Sequence, residues 1–181
     1  MGREPRHPGH SRAQHVTTRG NNRQTIFLDD ADHLAFLTLL GQVSAQHRWH
    51  TLAYCLMPNH IHLMIEASPH AMSSGMRDLL GRYVRRFHRR HGTSGHLLGR
   101  RFHNVPIKDD RQAAAVVRYI AANPVEAGLC ASAADWPWSS FKASIGEAVP
   151  PGCLDAPRLW SLLGATPQRA QDHIRALVNH Y

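Results

Sequence analysis

Residues 49–66 leave the chain little conformational choice. Two mainly apolar runs of strand length, 49–57 and 60–66, are separated by Pro58-Asn59, a tight-turn pair, so the segment reads as a β-hairpin. Side chains along a strand alternate between its faces. In the second run His60, His62, Met64 and Glu66 share one face, and Ile61, Leu63 and Ile65 share the other. In the first run Leu52, Tyr54 and Leu56 fall together. A lone hairpin is marginally stable at best in water, so the rest of the chain has to cover this one.

The flanking segments supply that cover. Residues 15–19 read as a strand that ends at Gly20-Asn21-Asn22. Asp29-Asp30 starts a helix in which Leu34, Leu37, Leu40 and Val43 recur at helical spacing to about His47. Met72, Met76, Leu79, Tyr83 and Phe87 form a second helical stripe, backed by Arg77, Arg82, Arg85, Arg86, Arg89 and Arg90 on the opposite face. Residues 92–99 read as a loop and 102–107 as a fourth strand. Asp109-Asp110 opens a helix that Pro124 is expected to stop. Trp136 and Trp138 read as packing residues, and 155–163 and 167–179 as weak helices. The order β-α-β-β-α-β-α predicts an α+β, ferredoxin-like antiparallel sheet with helices packed on one face, plus a helical C-terminal extension. Three segments are expected: a flexible basic arm over 1–13, a main domain over 14–145 and the extension over 146–181.

Charge points to a partner. The chain carries 21 Lys plus Arg against 13 Asp plus Glu, a formal +8, and every cation except Lys108 and Lys142 is arginine. Guanidinium forks suit bidentate phosphate contacts, which makes nucleic acid the leading class of partner. With 43% apolar residues the chain is too hydrophobic for a disordered one. No apolar run approaches the roughly 20 residues that cross a bilayer, so no membrane partner is expected. The N-terminus is polar and basic, without the apolar stretch of a secretory signal, and a cytoplasmic location is expected. Cys55, Cys130 and Cys153 are scattered, form no CxxC pair and read as reduced thiols.

Two small constellations carry chemistry. Imidazoles at 60 and 62 stand about 7 Å apart at Cα, given a rise of about 3.3 Å per residue, so both can converge on one cation. With 15 histidines in the chain, such a pair also arises by chance. Among the four tyrosines, Tyr54 and Tyr83 lie on apolar stripes and read as core, and Tyr181 is terminal. Tyr119 lies near a helix end with Asn123 four residues on, on the same helical face. A phenol there can attack phosphorus while the amide oxygen completes a metal shell. The bland alternative packs Tyr119 on the sheet and leaves Asn123 to end the helix.

Six segments occur in one order: 14–21 (QHVTTRGN), 55–63 (CLMPNHIHL), 94–97 (SGHL) leading to Arg101-Phe102, 118–120 (RYI), 123–129 (NPVEAGL) and 136–140 (WPWSS). Jointly they resemble the single-tyrosine HUH transposases, in particular the REP-associated tyrosine transposase branch of the IS200-like families, over about residues 14–142. The resemblance implies that His60, Ile61 and His62 form the HUH motif, that Tyr119 is the nucleophile and that Asn123 is the third ligand of Mg²⁺ or Mn²⁺. It implies an enzyme that nicks and rejoins single-stranded, hairpin-bearing (REP-like) DNA through a 5′-phosphotyrosine, in the bacterial nucleoid, as monomer or homodimer. Tyrosine has a reference pKa of about 10, so the metal or a neighbouring base has to assist its deprotonation. Arg82, Arg85, Arg86, Arg89, Arg90, Arg100 and Arg101 are then candidates to track a DNA backbone. Two alternatives stand beside this reading. One is a domesticated hairpin-binding protein that does not cut. The other is a zinc hydrolase, for which the HExxH pattern or a further Cys/His cluster is lacking.

Overall fold

The computed structural model describes residues 13–99 and 101–179. The expected basic arm (apart from Ala13), Arg100 and Tyr181 lie outside the described residues. The elements run β1 (Ala13–Arg19), α1 (Asp30–His47), β2 (His50–Met57), β3 (His60–Glu66), α2 (Pro69–His91), β4 (His103–Pro106), α3 (Asp110–Glu126), α4 (Phe141–Ser144), α5 (Ala156–Leu163) and α6 (Pro167–Asn179). The strands form one sheet in the order β2-β3-β1-β4, every neighbour antiparallel. This is the α+β, ferredoxin-like arrangement expected from the element order. Among the described residues no helix is long and apolar enough to cross a membrane.

The helices lie on both faces of the sheet rather than on one. Tyr54, Leu56, Ile61, Leu63 and Ile65 pack against Phe36, Leu40 and Val43 of α1 and Met72, Met76, Leu79, Tyr83 and Phe87 of α2. On the other face Cys55, Met57 and Met64 pack with Ala113, Val117 and Ile120 of α3 and with Leu159, Leu163, Ala170 and Ile174 of α5 and α6. The reason is that the histidine-bearing face is itself half apolar: Met64, Cys55 and Met57 would otherwise face water. Fully burying each such side chain contributes about 1.5–3 kcal/mol. The C-terminal helices therefore share one core with α3.

Local departures from the sequence pattern have local causes. The β2–β3 pairing shifts between Thr51 and Ala53, a β-bulge, so Leu52 packs with the α3 cluster while Tyr54 and Leu56 face α1 and α2. On α1 the buried stripe is His33, Phe36, Leu40 and Val43, while Leu34 is exposed. Aromatic contacts set that rotation: His33 stacks between Phe27 and Trp138 at 4.4 and 4.3 Å, and Phe36 meets Tyr83 edge-on at 5.2 Å. Helix α3 runs through Pro124 to Glu126 instead of stopping before it. Proline removes its own donor there, yet the following N–H groups of Ala127 and Gly128 still close on Asn123 and Val125. Trp136 donates its indole N–H to the Leu56 carbonyl, 3.1 Å away, and the segment 138–140 pairs along the outer edge of β2.

Gly75 lets α2 approach Trp49 closely. A Cβ at this position of α2 would sit 2.4 Å from the buried Trp49 ring. Alanine gains about 1 kcal/mol in helix propensity over glycine, but overpacking a rigid ring costs about 1–3 kcal/mol. Gly75→Ala is expected to lower stability by about 1 kcal/mol net, read by urea denaturation followed through tryptophan fluorescence.

Candidate active site

The central pairing builds the site. The β1–β3 register sets Arg19 opposite His60, Thr17 opposite His62 and His15 opposite Met64. Directly paired residues share a face, so His15, Thr17 and Arg19 join the two histidines. On β4, His103 pairs with Thr17 and extends the row. Helix α3, whose first turn is capped by the Asp109 side chain, lies across this face and delivers Tyr119 and Asn123 from its last turns.

The four expected residues meet within one chain. The Tyr119 ring stands edge-on to His62, centroids 5.3 Å apart, and edge-on to His15 at 5.7 Å. The Oδ1 of Asn123 lies 3.3 Å from Nε2 of His60. The His60 and His62 rings are perpendicular at 4.9 Å. Tyr119 is 43% exposed although it belongs to a packed helix, which leaves its phenol open to a macromolecular substrate. A cleft of about 390 Å³ is bounded by His60, His62 and Tyr119, with Arg19, Arg101 and His103 at its rim.

The donor set fits a cation. Asn59 Nδ2 donates to the Arg23 carbonyl at 3.1 Å, which turns its Oδ1 toward Nδ1 of His60 at 2.7 Å. His60 therefore carries its proton on Nδ1, and its Nε2 lone pair faces the Asn123 oxygen. The Asn123 amide nitrogen is directed at the Tyr119 carbonyl, 3.4 Å away, so neither group at the 3.3 Å contact has a proton to give. Nε2 of His62 is buried without a hydrogen-bond partner. Two facing acceptors beside an unpaired imidazole nitrogen are the arrangement a divalent ion resolves. Burial lowers the pKa of His15, His60 and His62, the last to about 3, where the charges of His60, His15 and Arg19 add to the effect. The imidazoles are thus neutral at pH 7, as ligation requires.

The arginines of α2 divide into two groups. Arg90 is held by Asp29 at 2.6 Å and by the buried Asp32 at 2.7 Å, with His91 3.0 Å from Asp32. Hydrogen bonding to Arg90 holds the Asp29 carboxyl down to about 2. Arg82 binds Asp78 at 2.7 Å and Gln46 at 2.8 Å. These two cations tie α2 to α1. Arg85, Arg86 and Arg89 are exposed. Arg85 joins Arg77 and Arg101 around a groove of about 980 Å³ floored by Met76, Leu80, Val84 and Phe102, and Arg101 lines both this groove and the cleft beside Tyr119. Sequence reasoning missed His15, Arg19, Asn59, Arg77 and His103 as site or groove residues. The period-two face of 15–19, laid against that of 60–66, is the signal that would have found His15 and Arg19.

Comparisons with known proteins bear on the family and the fold. The family model described as "Transposase IS200 like" matches residues 10–123. A Haemophilus influenzae protein described as a REP-associated tyrosine transposase is 28% identical over 128 residues, 64% of this chain and 72% of that protein. The fold is similar to the solved structure of a REP-associated tyrosine transposase bound to a REP hairpin. That match has a TM-score of 0.65 and 21% identity, covering 84% of this chain and 90% of the other.

The division of the arginines is open to a direct test. Arg85→Ala and Arg101→Ala are each expected to weaken single-stranded DNA binding and to reduce the salt slope of log K by about 0.7–1. Arg90→Ala is expected to lower the urea midpoint and leave that slope unchanged. Fluorescence anisotropy across a salt series, with denaturation curves for each variant, separates the two outcomes.

Proposed function

The chain belongs to the IS200-like transposase family, and on that premise we propose that it nicks and rejoins single-stranded, hairpin-bearing DNA through a 5′-phosphotyrosine on Tyr119. The observation that carries this reading is the approach of the Tyr119 ring to His62, 5.3 Å between centroids, beside the His60–Asn123 contact. His60, His62 and Asn123 would hold Mg²⁺ or Mn²⁺. Such an ion, when bound, supplies Lewis acidity to a non-bridging oxygen of the scissile phosphate.

The chain's own residues do the rest. Arg19 and Arg101 at the cleft rim are placed to bind phosphate oxygens, an interaction that strengthens in a water-poor site. The Tyr119 oxygen attacks phosphorus, the bond from phosphorus to the 3′ oxygen breaks, and the departing strand leaves as a 3′-hydroxyl with the proton that the phenol gave up. The 5′-phosphate remains esterified to Tyr119. Attack by another 3′-hydroxyl reverses each bond change, so rejoining needs no nucleotide cofactor. The hairpin partner is proposed from the solved relative, which holds a REP hairpin. The groove of Arg77, Arg85 and Arg101 would carry the backbone toward the cleft, because Arg101 borders both.

Tyr119→Phe removes only the hydroxyl. It is expected to reduce nicking of a labelled hairpin by on the order of 10³-fold or more and to abolish the SDS-stable protein–DNA adduct, while hairpin affinity stays near wild type. EDTA is expected to stop nicking, and Mg²⁺ or Mn²⁺ to restore it. Nicking that survives in Tyr119→Phe would overturn the assignment of the nucleophile. Wild-type hairpin binding without an adduct would favour the non-cleaving alternative.

A further inference from the structure

His15 has no part in the mechanism above, yet it borders both halves of the site. Its Nε2 lies 3.1 Å from Nδ1 of His62, and the two rings are near-parallel, with centroids 5.3 Å apart and 21° between their planes. Its other neighbour is the Tyr119 ring, met edge-on.

One nitrogen of the His15–His62 pair must donate. If His15 donated, a neutral His62 would carry its proton on Nε2, which is buried and has no acceptor. An unpaired buried donor is costly. If instead Nδ1–H of His62 donates to His15, the buried Nε2 of His62 bears the lone pair, and a cation satisfies it. The same logic already holds on the neighbouring ring, where Nδ1–H of His60 donates to Asn59. Both imidazoles would then be gripped from behind in the same tautomer.

We infer that His15 is a positioning residue that accepts the Nδ1 proton of His62, fixes that ring's tautomer and orientation, and so presents its Nε2 to a divalent cation. This rests on the metal-site reading above and extends it by one residue. Outer partners of ligating histidines set ligand basicity and geometry, and their removal weakens metal binding without removing a ligand.

Mn²⁺ titration of the full chain without DNA, followed by electron paramagnetic resonance, tests this on wild type, His15→Leu and His15→Gln. His15→Leu is expected to loosen Mn²⁺ by about 10- to 100-fold. His15→Gln keeps an acceptor at that place and is expected to recover most of the loss. Electron spin-echo modulation is expected to count two directly bound imidazole nitrogens in wild type and still two in His15→Leu. Unchanged affinity in His15→Leu would overturn the inference. So would a Gln variant as weak as Leu, or a third bound nitrogen in wild type that His15→Leu loses, because His15 would then be a ligand. Should His15→Leu fail to fold, nitrogen-15 spectra of metal-free wild type decide the matter: a proton on Nδ1 of His62 supports it, and one on Nε2 overturns it. Wild type that binds no Mn²⁺ at all would remove the metal-site reading and this inference together. Tight wild-type binding matched by His15→Leu would remove the inference alone.

Discussion

Register between β1 and β3 is the constraint on which the rest of this structure depends. Arg19, Thr17 and His15 stand opposite His60, His62 and Met64 because the two central strands pair in one alignment. A slip of one residue would turn every side chain of a strand to the other face. Here it would bury two imidazoles beneath α1 and α2 and turn Ile61, Leu63 and Ile65 toward α3 and the cleft. The apolar contacts of those three residues therefore also hold the histidines in place. Stability and site geometry are set by one set of hydrogen bonds.

A half-apolar histidine face is the second consequence. Met64, Cys55 and Met57 lie beside the histidines and need cover, and α3 provides it with Ala113, Val117 and Ile120. Covering those side chains brings Tyr119 and Asn123 to the histidine end of the sheet. The last turns of the helix stop short of closing the face, so Tyr119 keeps an exposed edge. Helices α5 and α6 pack with α3 through Leu159, Leu163 and Ile174. The C-terminal segment is thereby part of what positions the candidate nucleophile.

Charge is distributed by the same packing. Helix α2 carries a long row of arginines, but the neighbouring α1 brings Asp29 and Asp32 against one end of it and Gln46 against Arg82. A buried carboxylate such as Asp32 needs partners, and Arg90 and His91 supply them. Of the remaining exposed cations, Arg77 and Arg85 fall toward β4, where Arg101 continues their line to the cleft. An apolar floor bordered by guanidinium groups suits a nucleic-acid strand better than a flat basic surface does, because bases and phosphates can be met together.

The hairpin, the period-two histidine face and the i, i+4 relation of Tyr119 to Asn123 were all legible in the sequence, because each is a local rule of strand or helix geometry. The ferredoxin-like order was legible too, since antiparallel neighbours and crossing helices follow from the succession of elements. Which residues stand across from which was not legible. His15, Asn59 and Arg19 enter the site through pairing and turn contacts, and Arg90 is tied to α1 through an ion pair with residues some sixty positions earlier. Leu34 and Leu52 failed their stripes because aromatic packing rotated α1 and a bulge interrupted β2. By itself the sequence determined the chemical inventory and the local periodicities. The tertiary structure decided which charges are neutralised, which lone pairs face one another and which phenol stays open, because those depend on distances between segments that periodicity does not encode.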